Sequence, residues 1–217
     1  MIRAFSYNEF LFLLSAVQWT LALSAIAFVG GATVGLFIAL ARTSEIKAVR
    51  LAATGYIQLF QGTPLLMQLF LVFFGATVLG FDLNPWAAAA LGLTLNASAF
   101  LGEIWRGCIQ SVPRGQWEAA SALGLRYPGL MRYVILPQAV KVAVPPTVGF
   151  LVQLIKSTSL AAIIGFTELT RAGQIVNNAT FQPFLVFGIV AALYFLMCWP
   201  LSLLSARLER RYAVATR

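Results

Sequence analysis

The chain has 217 residues, of which 60% are hydrophobic and only 10% are charged. Soluble domains average roughly 25% charged residues, so this composition excludes an ordinary soluble fold and indicates an integral membrane protein. The net charge of +8 does not indicate nucleic-acid binding, because the basic residues border long apolar runs and have no groove-reading or stacking company in a soluble fold.

Five apolar runs are long enough to cross a bilayer, which takes about 20 helical residues each. The sequence therefore predicts an all-α membrane protein with five transmembrane helices in a single domain over residues 1–217. Five spans also place the two termini on opposite sides of the membrane. The predicted spans cover residues 11–41, 56–80, 85–105, 138–165 and 183–206.

The basic residues fall mainly in three segments, after the first run, between the third and fourth runs, and at the end of the chain. Alternating spans put all three segments on one side, which the positive-inside rule makes cytoplasmic. The predicted orientation thus has the N terminus outside and the C terminus in the cytoplasm. The residues are Arg42, Lys47, Arg50, Arg106, Arg114, Arg126, Arg132, Lys141, Arg207, Arg210, Arg211 and Arg217.

Glycine and proline mark two special positions in the first half of the chain. Gly31 and Gly35 have the spacing that lets another helix approach closely on their face. Near the beginning of the second run, Gly62 and Pro64 disfavour a continuous helix, so a bend or break is predicted there.

Residues 106–137 are too polar to cross a bilayer, yet they lie between two apolar runs. This pattern indicates a structured loop at the cytoplasmic face. Residues 116–123 are rich in helix formers and Gly124 is well placed to end a helix, so one short helix is predicted. The small side chains of Ala119 and Ala120 would let a partner pack closely. A docking element is predicted, with an ordinary amphipathic surface helix as the alternative.

The fourth run ends in the polar stretch Lys156, Ser157, Thr158 and Ser159. Irregular polar backbone at membrane depth is tolerated where it is buried in protein or lines a water-filled path. This stretch is therefore the best sequence candidate for the transport pathway.

Ionisable groups at depth cost about 2.5 to 3.5 kcal/mol and mark either a substrate path or a paired structural ion. Lys156 and Glu168 are candidates for both roles. Glu103 lies three residues before Arg106 on the same predicted helix, so an ion pair between them is expected. Thr167 is predicted to cap a short helix that follows the fourth run.

The sequence lacks the residues that nucleotide hydrolysis and metal binding require. There is no G-x-x-x-x-G-K-[ST] phosphate loop and no histidine, and the seven acidic residues are scattered. Cys108 and Cys198 read as small apolar residues and not as a disulfide framework. We expect no enzymatic activity, no metal site and no cofactor in this chain, and ATP-driven work would require a partner.

Nine stretches together form a recognisable pattern. They resemble the permease subunits of type I ABC importers, specifically the polar amino acid uptake family of histidine, arginine and glutamine systems. Residues 118–125, followed by Leu136 and Pro137, are similar to the "EAA" loop that seats in a groove of the ATPase subunit. The stretches are 61–66, 103–107, 111–116, 118–125, 134–138, 145–146, 156–160, 164–169 and 208–211.

This resemblance implies a five-span permease fold with a cytoplasmic coupling-helix loop, in the bacterial cytoplasmic membrane. It implies pairing with a second permease, either the same chain or a paralogue, on two ATP-binding cassette subunits that hold ATP and Mg²⁺. It also implies an extracytoplasmic solute-binding protein that delivers the cargo. The residues expected to couple to the ATPase are Gln116, Glu118, Ala119, Ala120, Gly124 and Leu125.

The implied cargo is a polar amino acid, carried by alternating access. Opines or other small organic solutes are the alternative within the class, and a passive channel or assembly subunit is the alternative outside it. The chain has Gln61 where the family usually has arginine, and Ser157 where it has an acidic residue or asparagine, which leaves the substrate preference open. Substrate contacts are expected at Gln61, Thr63, Gln68, Lys156, Ser157, Thr158 and Glu168.

Overall fold

The computed structural model describes residues 4–213, so Arg217 lies outside the described residues. Within that range the chain forms helices and no strand. A π-helical turn (Met131–Ile135) joins α6 to α7, and a 3-10 turn (Thr158–Ala162) continues α7. The helices are α1 (Tyr7–Thr43), α2 (Lys47–Gln61), α3 (Leu65–Val78), α4 (Pro85–Gln110), α5 (Arg114–Ala122), α6 (Tyr127–Leu130), α7 (Leu136–Ser157), α8 (Leu169–Thr180) and α9 (Pro183–Ala213).

Four helical segments of the described chain are long and apolar enough to cross a membrane, and a bent helix pair would make a fifth span. α2 and α3 meet at 99° across residues 62–64, so the predicted break is confirmed. α3 has 14 residues, or about 21 Å of helix, which is shorter than the roughly 30 Å hydrocarbon core. The four continuous segments are Tyr7–Thr43, Pro85–Gln110, Tyr127–Ala162 and Pro183–Tyr212.

Helix is present at both ends of residues 106–137, the segment predicted as a cytoplasmic loop. α4 continues to Gln110, because the charge of Arg106 is held by Glu103 one turn earlier on the same helix. Helix resumes at Tyr127, because Pro128 lies in the first turn of α6, where proline is well tolerated. Between them, α5 ends where Gly124 takes a positive φ of 76°, as predicted.

α1 packs closely along α4 through its glycines. A Cβ on Gly31 would lie 2.6 Å from the Cβ of Ala97, and one on Gly35 would lie 3.0 Å from the carbonyl oxygen of Ser98. Only glycine leaves room for the α4 backbone at this distance. The prediction that this face allows close helix approach is confirmed.

The main apolar core lies where α1, α3, α4 and α7 meet, around Leu23, Leu69, Leu93, Leu101 and Leu154. A second cluster joins α1, α8 and α9 around Leu13, Leu169 and Val186. A third holds α5 against the end of α4 and the beginning of α7. These clusters fix both ends of the long segment Tyr127–Ala162 relative to the other helices.

α7 remains helical through Pro145 and Pro146. At its end the hydroxyls of Ser157, Thr158 and Ser159 each donate to a carbonyl of the preceding turn, over 2.7 to 2.9 Å. The helix tightens to a 3-10 turn from Thr158. The predicted irregular polar segment is therefore present.

Candidate functional site

A polar cavity of about 160 Å³ lies where the bend between α2 and α3 faces α4 and α7. Five of its lining residues carry an amide or hydroxyl group, the other five have apolar or aromatic side chains, and none is charged. The lining consists of Phe60, Gln61, Thr63, Leu65, Asn96, Phe100, Phe150, Gln153, Leu154 and Ser157.

The bend exists because one buried side chain satisfies the carbonyl groups that the broken helix exposes. Gln68 is 6% exposed, and its Nε2 donates to the carbonyl of Phe60 at 2.8 Å and to that of Thr63 at 3.0 Å. It also donates to Thr63 Oγ1 at 2.9 Å. The last carbonyls of a helix have no partner within it, and Gln68 supplies one for the end of α2. Gln68 therefore stabilises the α2–α3 bend, which forms one wall of the cavity, without lining the cavity itself.

The same glutamine ties the bend to α4. Asn96 Nδ2 donates to Gln68 Oε1 at 3.0 Å, and Asn96 also lines the cavity. One turn away, the hydroxyls of Tyr56 and Ser98 share a hydrogen bond of 2.7 Å. Polar groups thus bond α2 and α3 to α4 around the cavity, and Asn96 both bonds helices together and lines the cavity.

Aromatic rings close the apolar side of the cavity. Phe100 of α4 and Phe150 of α7 stack with ring centroids 5.9 Å apart and an interplanar angle of 18°. On the other side Phe60 packs against Tyr56 at 4.7 Å. The cavity thus offers ring faces together with amide and hydroxyl groups.

The structure divides the residues that the sequence predicts as substrate contacts. Gln61, Thr63 and Ser157 line the cavity, whereas Gln68 supports it. Sequence reasoning missed Gln153, although it lies four residues before Ser157 and therefore on the same face of α7.

Lys156 and Thr158 lie outside the cavity lining. The side chain of Lys156 is exposed. Thr158 is fully buried and donates to the carbonyl of Ile155.

Glu168 is fully buried away from the cavity and caps α8. Its carboxylate accepts from the backbone N–H of Arg171 at 2.9 Å and from the hydroxyl of Tyr194 at 2.6 Å. Burial raises the pKa of the Glu168 carboxyl, and these hydrogen bonds act in the opposite direction. The prediction of Thr167 as the cap is wrong, because the longer carboxylate side chain of the next residue reaches the third N–H of the helix.

The N terminus of α8 is also bonded to α1 and α9. The backbone N–H of Leu169 donates to Thr20 Oγ1 at 3.1 Å, and the hydroxyls of Thr170 and Tyr194 are 3.1 Å apart. Glu168 is therefore the centre of a buried polar cluster that joins α1, α8 and α9.

α5 presents one face to the protein and one to its surroundings. Trp117 and Ala120 pack into the third apolar cluster, and Trp117 Nε1 donates to the carbonyl of Val112. The other face is exposed, with Leu123 at 81%. Of the six residues expected to couple, Gln116, Glu118, Ala119 and Gly124 are exposed, Leu125 is half-buried and Ala120 is buried.

Two side-chain bonds tie the α5 region to the long helices. The Tyr127 hydroxyl donates to the carbonyl of Thr43 at the end of α1, over 2.7 Å. Gln138 Nε2 donates to Gln116 Oε1 at 3.3 Å, which links α7 to α5.

A charged cluster occupies the same end of the molecule. Glu103 accepts from Arg106 at 2.8 and 2.5 Å, so the expected ion pair is confirmed. Arg42 of α1 lies 3.8 Å from the same carboxylate and donates to Thr54 of α2 at 2.8 Å. Glu103 is therefore occupied by two arginines and joins α1 to α4.

In the part of the chain that the structure describes, no group of three or more His, Cys, Asp and Glu residues could hold a metal ion. Cys108 and Cys198 are free, buried thiols.

Comparison with known proteins gives consistent matches. Residues 31–214 match the family described as the binding-protein-dependent transport system inner membrane component. The chain is 38% identical to the probable amino-acid ABC transporter permease protein YckA of Bacillus subtilis, over 95% of this chain and 91% of that protein. It is also 38% identical to the L-cystine transport system permease protein TcyB of the same organism, over 90% and 84%. The putative glutamine transport system permease protein GlnP of Rickettsia felis is 34% identical over 96% of each chain.

Solved structures agree with these matches. A crystal structure of an amino acid ABC transporter with histidines superposes with a TM-score of 0.88 at 37% identity, over 96% of this chain and 100% of that chain. An inward-facing structure of the MetNI methionine ABC transporter gives 0.78 at 21% identity, over 96% and 99%, which bears on the fold alone.

Proposed function

Because the chain belongs to the family of binding-protein-dependent transport system inner membrane components, we propose that it carries a polar amino acid across the bacterial cytoplasmic membrane. It has the all-α type I ABC importer permease fold that the sequence predicted. The family is one of transporter permeases and not of catalytic enzymes. The observation that carries the proposal is the polar, uncharged cavity between the α2–α3 bend, α4 and α7.

We propose this cavity as the substrate site. The amides of Gln61 and Gln153 can donate to an amino acid's carboxylate. The hydroxyls of Thr63 and Ser157 already donate to backbone carbonyls one turn earlier, and their oxygens can accept from its ammonium. The nearby ring faces add attraction for the ammonium. Asn96 completes the polar lining, while Gln68 fixes the bend that presents Gln61 and Thr63.

The remaining predicted substrate residues have a different proposed role. Lys156, Thr158 and Glu168 belong to the helical frame around the site, and Glu168 holds α8 against α1 and α9. Their contribution to transport would then come through the position of the helices and not through contact with the cargo.

We propose α5 as the docking site for an ATP-binding cassette subunit. Its outer face combines the small Ala119, the charged Glu118 and the exposed Leu123, whereas its inner face is fixed to the body of the protein. Gly124 provides the left-handed turn after α5, and Leu125 packs beneath it. ATP and Mg²⁺ would be held by the two partner ATPases, because this sequence has no phosphate-binding loop.

One continuous helical segment connects the proposed docking helix to the proposed substrate site. The segment Tyr127–Ala162 begins beside α5 and reaches Gln153 and Ser157 in the cavity, about 45 Å further along the helix. A displacement of α5 would move the segment Tyr127–Ala162 as a unit. ATP biases the conformational equilibrium only through contacts that differ between the two states, and rocking about a central site gives alternating access.

The proposed assembly pairs this chain with a second permease, a copy of itself or a paralogue, on two ATPase subunits. A solute-binding protein would deliver cargo from outside, at the side of the N terminus. The distribution of basic residues supports a cytoplasmic position for α5 and the C terminus. Residues 1–217 would form one membrane domain.

Accumulation of labelled amino acids by proteoliposomes that contain the complete complex tests the proposal. We expect ATP-dependent uptake, and Leu123→Arg should abolish it because a charge is placed on the docking face. Ile46→Arg is the matched control, since Ile46 is 62% exposed in the turn between α1 and α2. Uptake that needs no ATP would indicate a passive channel, and uptake of opines but of no amino acid would move the cargo to another solute class.

A further inference from the structure

We infer that the cavity between the α2–α3 bend, α4 and α7 selects amino acids whose side chains carry no net charge, and rejects cationic and anionic ones. This inference rests on the proposed function, because it concerns the cargo of the proposed substrate site. It follows from the charges that face the cavity and from the polar groups that remain there.

The two helices of the bend contribute no charge to the cavity. α3 contains no ionisable residue, and the charged residues of α2, Lys47 and Arg50, lie near its other end. Arg50 is about 16 Å of helix away from Gln61, and its guanidinium donates to the carbonyl of Ser44.

α4 contributes no free charge either. Glu103 lies about 10 Å along the helix from Asn96, towards α5, and its carboxylate is bonded to Arg106 and faces Arg42. A cation in the cavity would have to compete with two arginines for this group. The pair therefore balances its own charges and leaves none for a substrate.

On α7, Lys141 lies about 18 Å of helix before Gln153. Lys156 is much closer in sequence, but its side chain is exposed and is not part of the cavity lining. Glu168, which follows α7, is fully buried in its own hydrogen bonds with Arg171 and Tyr194. The helices around the cavity thus present dipoles to it and no counter-ion.

This environment treats charged and neutral side chains differently. A side-chain guanidinium, ammonium or carboxylate would lose water without gaining a partner of opposite charge, which is strongly unfavourable. An amide or hydroxyl side chain would find groups that both donate and accept, at Gln61, Asn96, Gln153 and Ser157. The α-carboxylate and α-ammonium are common to every amino acid, so they do not affect this comparison.

The test separates the permease from the solute-binding protein, which has a selectivity of its own. The complex of permease and ATPase subunits is placed in nanodiscs without binding protein, and binding of labelled glutamine, arginine and glutamate is measured. We expect glutamine to bind roughly tenfold or more tightly than the other two. Equal binding of arginine or glutamate, or no binding of any of the three by a complex that transports, would overturn the inference.

Introduced charge gives the second arm. Ser157→Asp should shift the preference towards arginine by at least about tenfold, because it supplies the missing counter-ion. Ser159→Asp is the control, since Ser159 lies two residues on and outside the cavity lining. If Ser157→Asp does not assemble, the isosteric Gln153→Glu replaces it. An unchanged preference in an assembled variant would contradict the inference.

The two proposals fail in different ways. Absence of ATP-driven uptake of every amino acid by the complete complex would refute the proposed function. ATP-driven uptake combined with equal binding of charged and neutral amino acids would refute only the charge selectivity.

Discussion

Gln68→Met removes the side chain that holds the bend between α2 and α3, with little change in volume. The wild-type amide donates to the carbonyls of Phe60 and Thr63 and accepts from Asn96. Methionine can make none of these bonds. The side chains of Gln68 and Asn96 are only 6% and 8% exposed, so water has little access to the amide groups whose bonds are lost.

The expected loss follows from the number of bonds. Each buried hydrogen bond contributes about 1 kcal/mol, and a buried polar group left without a partner costs about 1 to 3 kcal/mol. Gln68 makes at least three such bonds, so the variant should lose on the order of 3 kcal/mol. At about 2 to 4 °C per kcal/mol for a chain of this size, the unfolding midpoint should fall by about 6 to 12 °C.

The assay is thermal unfolding of the purified complex in detergent, without substrate, so that loss of cargo binding does not contribute. Gln58→Met is the matched control, because Gln58 is exposed on α2 and its side chain makes no hydrogen bond within the described residues. Equal midpoints for Gln68→Met and the wild type would show that the bend does not depend on this amide. The argument for how the cavity wall is held would then be wrong.

Three further predictions concern the helix contacts. Gly31→Leu should lower the unfolding midpoint by several degrees, because α1 would have to move away from α4. Gly55→Leu is the control and should leave the midpoint unchanged, since nothing lies within 4 Å of the Cβ position at Gly55. Equal effects of the two substitutions would contradict the close packing. Burial raises the pKa of Glu168 above 4.5, so its contribution to stability should be present at lower pH and be lost as pH rises through the folded-state value. Glu168→Gln should flatten this pH dependence of the midpoint, and an unchanged slope would refute the assignment. Tyr127→Phe removes the hydrogen bond between the α5 region and the carbonyl of Thr43 in α1. ATP hydrolysis should then be coupled less well to uptake, and more ATP should be hydrolysed per substrate transported. An unchanged ratio of ATP hydrolysed to substrate transported would contradict this prediction.

The features that local sequence determines were predictable. Gly62 and Pro64 act on their own backbone, Gly124 takes a positive φ of 76°, and the glycine spacing in α1 depends only on helical periodicity. The assignment to a permease fold also came from stretches of sequence, because each stretch keeps its pattern independently of the rest.

The construction of the cavity could not be read from the sequence. Gln68 and Asn96 are 28 residues apart, and their hydrogen bond depends on how α3 packs against α4. Gln153 is uncharged and gives a weaker sequence signal than Lys156, which lies outside the cavity lining. Polarity marks a segment of α7, but the rotation of the helix decides which of its residues line the cavity.

The helix ends show the same limit on a smaller scale. Thr167 and Glu168 are adjacent and both can cap a helix, and the choice depends on which side chain reaches the backbone N–H of Arg171. By contrast, the ion pair between Glu103 and Arg106 was predictable, because it depends only on helical spacing within α4.

The central claim is that α5 lies in the cytoplasm and docks on an ATPase, and accessibility of a cysteine at its exposed end tests it most directly. Leu123→Cys is placed in a chain that also carries Cys108→Ala and Cys198→Ala, since both natural thiols are free. A membrane-impermeant maleimide should label this cysteine in inside-out vesicles only after the ATPase subunits are stripped, and not in right-side-out vesicles. Labelling from the outside, or equal labelling with the ATPase bound, would contradict the account.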